Sequence, residues 1–226
     1  EELEQFAYAA SHDLQEPLRT VSSYLTLLER RYGDELDGDA TEFIEFAVDG
    51  ADRMRNMIQA LLAYSRVDTR GQSFETVELS ELFEQVTGSL GVKIAETDAT
   101  VSTPSTAATV RGDPSQLAQL FQNLVDNAIK YNTGQPTVDV SAHRHDGMVS
   151  IEVTDNGIGM EADQLDEIFE VFQRLHTREE FEGTGIGLSV CRKIADRHSG
   201  DIEVESKPGE GSTFTITLPE EGASDE

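Results

Sequence analysis

Apolar residues recur along the first sixty positions with a helical period rather than an alternating one. Up to about residue 31 they fall at Leu3, Phe6, Ala10, Leu14, Val21, Leu25 and Leu28, close to a heptad seam. Gly33-Asp34-Glu35-Leu36-Asp37-Gly38-Asp39 breaks the pattern as a turn. A second run follows at Phe43, Phe46, Ala47, Gly50, Met54, Met57, Ile58, Leu61 and Leu62. Together they predict a helical hairpin over residues 1–67. A two-helix hairpin has too little core to stand alone. Pairing with a second copy into a four-helix bundle is the simple remedy, so a homodimer is expected.

Residues 66–76 are polar, include Gly71, and read as a linker. Beyond them the pattern becomes mixed. Glu78-Leu79-Ser80-Glu81-Leu82-Phe83 opens a helix expected to run to about Glu96, and 100–103 and 109–111 are short strand candidates. Asp113-Pro114 starts a long helix ending at Tyr131, with Asp113 as N-cap and Pro114 in the first turn. Residues 138–145 and 149–154 alternate as strands joined at Asp146-Gly147. Helices are expected near 161–169 and 186–198. The last strands are 202–206 and 212–218, around a Lys207-Pro208-Gly209-Glu210-Gly211 turn, followed by a loose acidic tail over 220–226. The fold class is α+β: a helical hairpin, then, over 74–220, an α/β sandwich with helices on a largely antiparallel sheet.

The formal charge is −27, from 44 acidic and 17 basic residues. That imbalance repels nucleic acid and anionic membrane, so neither is an expected partner. Unscreened, it also destabilises the compact state. A salt-rich solvent, with a Debye length near ~3 Å at 1 M, removes the repulsion and points to a halophilic setting. No apolar run is long enough to span a bilayer, and no signal peptide is visible. The start, Glu1-Glu2-Leu3-Glu4, reads as the middle of a longer chain. The single Cys191 excludes an internal disulfide or a cysteine metal cluster, which fits a cytoplasmic location. Its apolar helical surroundings make it a small core residue.

Five stretches carry candidate chemistry. In Gln122–Tyr131, Leu120, Phe121, Leu124, Val125, Ala128 and Ile129 form one buried helical face. Asn123 and Asn127 project one turn apart from its edge. A neutral amide oxygen suits Mg2+ with phosphate co-ligands, Lys130 offers a point charge for phosphate, and Tyr131 a ring face for a base. Taken alone, the stretch is an amphipathic helix with capping amides. In Ser11-His12-Asp13-Leu14-Gln15-Glu16-Pro17-Leu18, a neutral imidazole beside an acid is a phosphoryl acceptor with a base at hand. Pro17 lacks an N–H, so the helix can bend just past His12. Alone, His12 is an exposed helical histidine. In Asp155-Asn156-Gly157-Ile158-Gly159-Met160 a carboxylate would repel phosphate and suits the amino group of adenine, with Gly157 and Gly159 letting backbone approach a flat base. Alone, it is a glycine turn. Gly183-Thr184-Gly185-Ile186-Gly187-Leu188 opens a helix whose free N–H groups suit phosphates, but it is neither a Walker A loop nor a dinucleotide fingerprint. Between the last two, Ile168-Phe169-Glu170-Val171-Phe172-Gln173-Arg174-Leu175 joins aromatics to an arginine. The polar segment 173–182 could close over a ligand and carry Arg174 to a γ-phosphate.

Together and in this order, these stretches resemble the sensor histidine kinases of two-component signalling. Ser11-His12-Asp13 resembles the H box, Asn123 to Tyr131 the N box and Asp155 to Gly159 the G1 box. Phe169 to Phe172 resembles the F box and Gly183 to Gly187 the G2 box. The resemblance implies a dimerising hairpin with the phosphoacceptor and a Bergerat-type ATP-binding domain. It implies that His12 takes the γ-phosphoryl group, Asp13 assists as base and Asn127 holds Mg2+. Lys130, Arg174 and the 183–187 glycines would face phosphates, while Tyr131 and Asp155 would meet adenine. A response-regulator receiver domain is the implied phosphoryl acceptor. Gln15-Glu16 resembles the phytochrome-like, PAS- or GAF-linked subgroup, whose sensor domain is missing from this chain. Many members carry Thr or Asn four residues after the histidine to orient water for dephosphorylation. Here that residue is Glu16, so weak phosphatase activity is expected.

The same fold resembles that of gyrase, chaperone and mismatch-repair ATPases. Those place a water-activating Glu one turn before the Mg2+ Asn, where this chain has Asn123, a poor base. A serine kinase needs neither the hairpin nor His12. A non-catalytic dimeric scaffold would not need His12, Asn127, Asp155 and the glycines together.

Overall fold

The computed structural model describes residues 2–33, 36–69, 71–104, 108–175, 181 and 183–220, without the side chains of 2–13, 15, 60, 68 and 69. The chain divides into two compact units, Glu1–Thr69 and Arg70–Glu226.

The first unit is an antiparallel pair, α1 (Glu2–Tyr32) and α2 (Gly38–Thr69). α1 runs unbroken through Pro17, so the helix continues where the missing N–H allowed a bend. Residues 34 and 35 of the expected turn, like the side chains of His12 and Asp13, lie outside the described residues. Among the described side chains of this unit only Ala51 and Val67 are buried. Leu14, Val21 and Leu28, seven residues apart on one seam of α1, are 53, 48 and 42% exposed. Phe43, Phe46, Met54, Met57 and Leu61 are exposed along α2.

The second unit is a two-layer α/β sandwich. Its main sheet has the order β2 (Thr100–Ser102), β4 (Thr137–His145), β5 (Met148–Asp155), β7 (Gly211–Pro219), β6 (Asp201–Lys207). β2 runs parallel to β4 and every other pairing is antiparallel. Alternation sends Val138, Val140, Val149, Ile151, Val153, Phe214, Ile216 and Leu218 inward. They meet α5 (Pro114–Lys130) and α6 (Gly187–Arg197), whose apolar faces bury Leu117, Leu120, Phe121, Leu124, Val125, Val190, Cys191 and Ile194. α3 (Leu79–Ser89) covers the same layer through Leu82, Phe83 and Val86, with Phe83 tilted against Phe121.

Three expectations change. α2 continues to Thr69, and the polar linker ends in a strand, β1 (Glu75–Glu78), paired antiparallel with β3 (Thr109–Gly112). The helix expected to reach Glu96 breaks at Leu90, between Gly88 and Gly91, leaving a short α4 (Gly91–Glu96). The region 161–169 forms two single 3-10 turns, Ala162–Gln164 and Glu167–Phe169. The acidic tail beyond 220 lies outside the described residues.

One polar cluster fixes α5 in place. Asp113, with no exposed surface, accepts through Oδ1 from the N–H groups of Ser115 and Gln116 and from the Ser115 hydroxyl. Through Oδ2 it accepts from the Gln72 N–H and from the Arg197 guanidinium at 3.3 Å. Burial pushes this carboxyl's pKa up, but the bonds from Ser115, Gln116, Gln72 and Arg197 outweigh it and hold the value below the ordinary one. His198 accepts at Nε2 from the Asp113 N–H (2.9 Å) and donates from Nδ1 to the Ile194 carbonyl (2.7 Å), which fixes the neutral tautomer. Its ring stacks on Phe74 at 4.5 Å. Burial, aided by the Arg197 charge, lowers its pKa against the opposing pulls of Ile194 and Asp113.

Both shifts make the fold acid-sensitive. For His198 the unfolded chain protonates first, so its contribution is complete above pH ~6.5 and is lost as pH falls below that value. Asp113 stabilises fully above its ordinary pKa of 3.8 and loses that contribution as pH falls toward its lower folded value. We expect Asp113→Ala to cost about 2–3 kcal/mol in urea unfolding at pH 7, as a lost cap plus unpaired buried donors. We expect His198→Phe to flatten the decline in stability between pH 7 and 5. An unchanged slope in that variant would remove the histidine from this account.

Candidate nucleotide site

A cleft holding about 630 Å³ of empty space opens between α5, the end of β5, the 168–175 segment and the start of α6. Asn127, Tyr131, Asp155, Gly159, Arg174 and Leu188 line it, six of the residues singled out from the sequence. They come from four separate stretches of chain. α5 delivers Asn127 and Tyr131 from its last turn, because its other face is locked into the core.

Asp155 ends β5 and faces the cleft. Its Oδ1 accepts from the N–H groups of Gly157 (2.8 Å) and Ser212 (3.2 Å). Among the described residues no donor meets Oδ2. Burial raises the carboxyl's pKa, and the two N–H bonds only partly oppose it. Asp155 is half-buried, and Oδ2 is open to the cleft, where it can accept from a ligand N–H. Asn127 likewise has no hydrogen-bond partner for its side-chain amide among the described residues. Ile158, Met160, Ile168, Leu175 and Phe214 make the rest of the wall apolar, as a flat base requires.

Among the described residues, the two expected phosphate cations rest on neutral partners. Lys130 Nζ donates to the Tyr131 hydroxyl at 2.8 Å and lies 4.1 Å from the centre of that ring. Arg174 donates to the Phe181 carbonyl at 2.7 Å, and the Phe181 ring leans on Tyr131 at 5.1 Å. Among the helix-opening glycines, Gly183 sits beside Lys130, where a Cβ would come within 2.8 Å of Nζ. Gly185 (φ +71°) takes the Phe172 N–H on its carbonyl, Thr184 lies between the two, and Gly187 begins α6.

Other residues singled out from the sequence have contacts within the protein. Asn123 does not line the cleft. Its amide donates to the Gly187 carbonyl at 3.3 Å, tying α5 to α6. Gly157 and Gly159 are required by the packing of the protein itself, whatever occupies the cleft. A Cβ on Gly157 would come within 2.4 Å of the Tyr131 carbonyl. One on Gly159, at φ +65°, would fall 1.9 Å from the Lys207 carbonyl. Cys191 is fully buried with its thiol pushed up to about 12, an inert core residue as read. Ser212 and Phe214, known from the sequence only as strand residues, belong to the cleft, and nothing in the alternation marks them apart from their neighbours. His12, Asp13 and residues 176–180 and 182 are not among the described side chains, so their place is untested.

Residues 112–222 match the family described as histidine kinase-, DNA gyrase B- and HSP90-like ATPase, and residues 2–70 match the His Kinase A (phospho-acceptor) domain. Cyanobacterial phytochrome A of Nostoc sp. is 49% identical over 219 residues, covering 96% of this chain and 28% of that protein. The chain thus spans under a third of that relative's length. The crystal structure of full-length ShkA in complex with AMPPNP superposes with a TM-score of 0.72 at 23% identity, covering 98% of this chain and 47% of the other. That of the histidine kinase ThkA in complex with the response regulator protein TrrA gives 0.65 at 22% identity, covering 95% and 61%. At these identities the two structures speak for the fold. No helix of the described residues is long and apolar enough to cross a membrane.

Asp155→Asn separates recognition from folding. The amide oxygen keeps the Gly157 and Ser212 bonds while its NH2 opposes a ligand donor. A raised pKa means the ionised carboxyl costs stability above its folded value, so the uncharged variant should be as stable or more stable at pH 7. Adenine-nucleotide affinity should fall about 10- to 100-fold, the loss of one charge-assisted bond. Unfolding curves and calorimetric titration with ADP check both halves.

Proposed function

This chain belongs to the sensor histidine kinases, as a catalytic core of His Kinase A and ATPase-like domains, and we propose that it phosphorylates itself on His12 from ATP. Residues 1–67 serve as the phosphoacceptor hairpin and 74–220 as the ATP-binding domain. The observation that carries the reading is the unpaired Oδ2 of Asp155 in an apolar cleft that also holds Asn127 and Arg174. An adenine amine satisfies that oxygen, Tyr131 flanks the base, and the phosphates extend toward Lys130, Arg174 and the 183–187 glycines. The free amide of Asn127 fits a Mg2+ ion completed by phosphate oxygens and water. Such an ion supplies charge neutralisation to the phosphates when bound.

In the proposed step a ring nitrogen of neutral His12 attacks the γ-phosphorus, the bond to the bridging oxygen breaks, and ADP leaves. Asp13 holds the ring proton as charge builds on the imidazole. An aspartate of a response-regulator receiver domain then takes the phosphoryl group. With Glu16 in place of an amide or hydroxyl, the kinase returns that phosphate to water slowly. Asn123 spends its amide on Gly187, which favours transfer over the hydrolysis of gyrase-type relatives.

The exposed seam of Leu14, Val21 and Leu28, opposite an equally exposed α2, supports a homodimer joined through the hairpins. The −27 charge supports a working solvent rich in salt.

Incubation with γ-labelled ATP and Mg2+ in molar KCl should give acid-labile, alkali-stable label in the wild type and none in His12→Gln. Mixed with a cognate receiver, the label should move to its aspartate and decay there no faster than in the receiver alone. Label persisting in His12→Gln would overturn the acceptor assignment, and ATP binding without any label would favour a scaffold. A melting series from 0.1 to 3 M KCl should show a Tm rising by several degrees. A flat series would sink the salt-rich assignment.

A further inference from the structure

Behind the cleft wall lies a hydroxyl pair whose proton order follows from its partners. Ser206, on β6, has its Oγ 2.8 Å from the Gly211 carbonyl, 2.9 Å from the Met160 N–H and 3.0 Å from the Ser212 hydroxyl. A carbonyl only accepts, so Ser206 spends its single proton on Gly211. The Met160 N–H only donates, and it takes one lone pair of Ser206. The contact between the two hydroxyls is then a hydrogen bond only if Ser212 donates it. Ser206 is saturated by this arrangement, with one bond given and two received.

Ser212 also contacts Asp155 and the cleft. Its N–H donates to Asp155 Oδ1, and the residue lines the cleft beside that carboxylate. With its proton committed to Ser206, its hydroxyl offers the cleft lone pairs only. Asp155 Oδ2 is an acceptor as well. This part of the wall therefore presents acceptors to a ligand and no hydroxyl donor.

We propose that Ser206 is a positioning residue for base selection, holding the Ser212 hydroxyl as an acceptor so that the wall admits an adenine amine and rejects the guanine O6. The inference rests on the adenine-nucleotide reading of the cleft. Adenine carries an exocyclic amine, a donor, where guanine carries a carbonyl. A carbonyl set against two fixed acceptors leaves buried polar groups unpaired, and that is how a polar pocket discriminates strongly. Ser206 does not line the cleft and does not touch the nucleotide. It acts through one proton.

The test is calorimetric titration of the 226-residue chain in molar KCl with ADP and with GDP. In Ser206→Ala the Ser212 proton is freed to turn toward O6. The ADP:GDP affinity ratio should fall about tenfold, one hydrogen bond's worth. Ser206→Thr, which keeps the hydroxyl, should retain the wild-type ratio. Ser212→Ala leaves Met160 its acceptor, removes one acceptor from the wall, and should also narrow the ratio if Ser206→Ala fails to fold. A ratio unchanged in whichever of the two alanine variants folds overturns the proposal while leaving the adenine site standing. A wild-type chain that binds neither nucleotide overturns the adenine reading itself, and this inference with it.

Discussion

The buried carboxylate of Asp113 sets the position of α5 and of the end of α6, the two helices that border the cleft. It is the N-cap of α5, and five hydrogen bonds converge on its two oxygens from the start of that helix, from the segment entering the domain and from the end of α6. α5 is 17 residues long, so a shift at its cap is carried about 25 Å to Asn127 and Tyr131. The charge is tolerable because every lone pair finds a donor, and the donors come from elements that would otherwise have no polar reason to meet. His198 extends the cluster by accepting the N–H of Asp113 itself. The C-terminus of α6 is thus anchored by the same group that fixes the N-terminus of α5, while Asn123 ties the other end of α6 to the middle of α5.

The electrostatics of the site differ from those of the surface around it. Overall the chain is strongly acidic, yet among the described residues Lys130 and Arg174 are paired with a phenol, a ring face and a carbonyl. A phosphate that draws either cation away exchanges a neutral partner for a charged one, so the exchange runs downhill.

Local periodicity made most of the elements legible. The amphipathic stripes of α5 and α6 and the alternation of β4, β5 and β7 are strong because each element buries one face against the core, while the stripes of α1 and α2 are legible although most of their described apolar side chains are exposed. β1 was hidden because only Val77 of its four residues is buried and its partner, β3, is more than thirty residues away. The 161–169 region carries helical spacing but too few buried contacts to extend beyond single turns. At the cleft, Asn127, Tyr131, Asp155, Arg174 and Leu188 were readable as residue types with matching chemistry. For Asn123 the residue type does not announce that its amide donates to the Gly187 carbonyl, a bond only the fold creates. At Gly157 and Gly159 the sequence shows that a side chain is missing, not that the Tyr131 and Lys207 carbonyls fill its space. Ser206 and Ser212 were invisible, since their meaning lies in a proton order that only the cross-strand register creates.

Asp155 and the two glycines after it are bound to the backbone around them as tightly as to any ligand. Oδ1 holds the N–H groups of Gly157 and Ser212, and the Cβ positions of Gly157 and Gly159 are taken by the carbonyls of Tyr131 and Lys207. The protein therefore has little freedom to change the polar end of its pocket without unravelling it. An inhibitor that mimicked the adenine amine would press on residues that cannot drift. Resistance would have to come from Met160, Ile168 or Leu175, whose side chains meet the cleft but hold no backbone in place. A compound that leaned on the polar end and kept clear of those three would leave the chain few routes of escape.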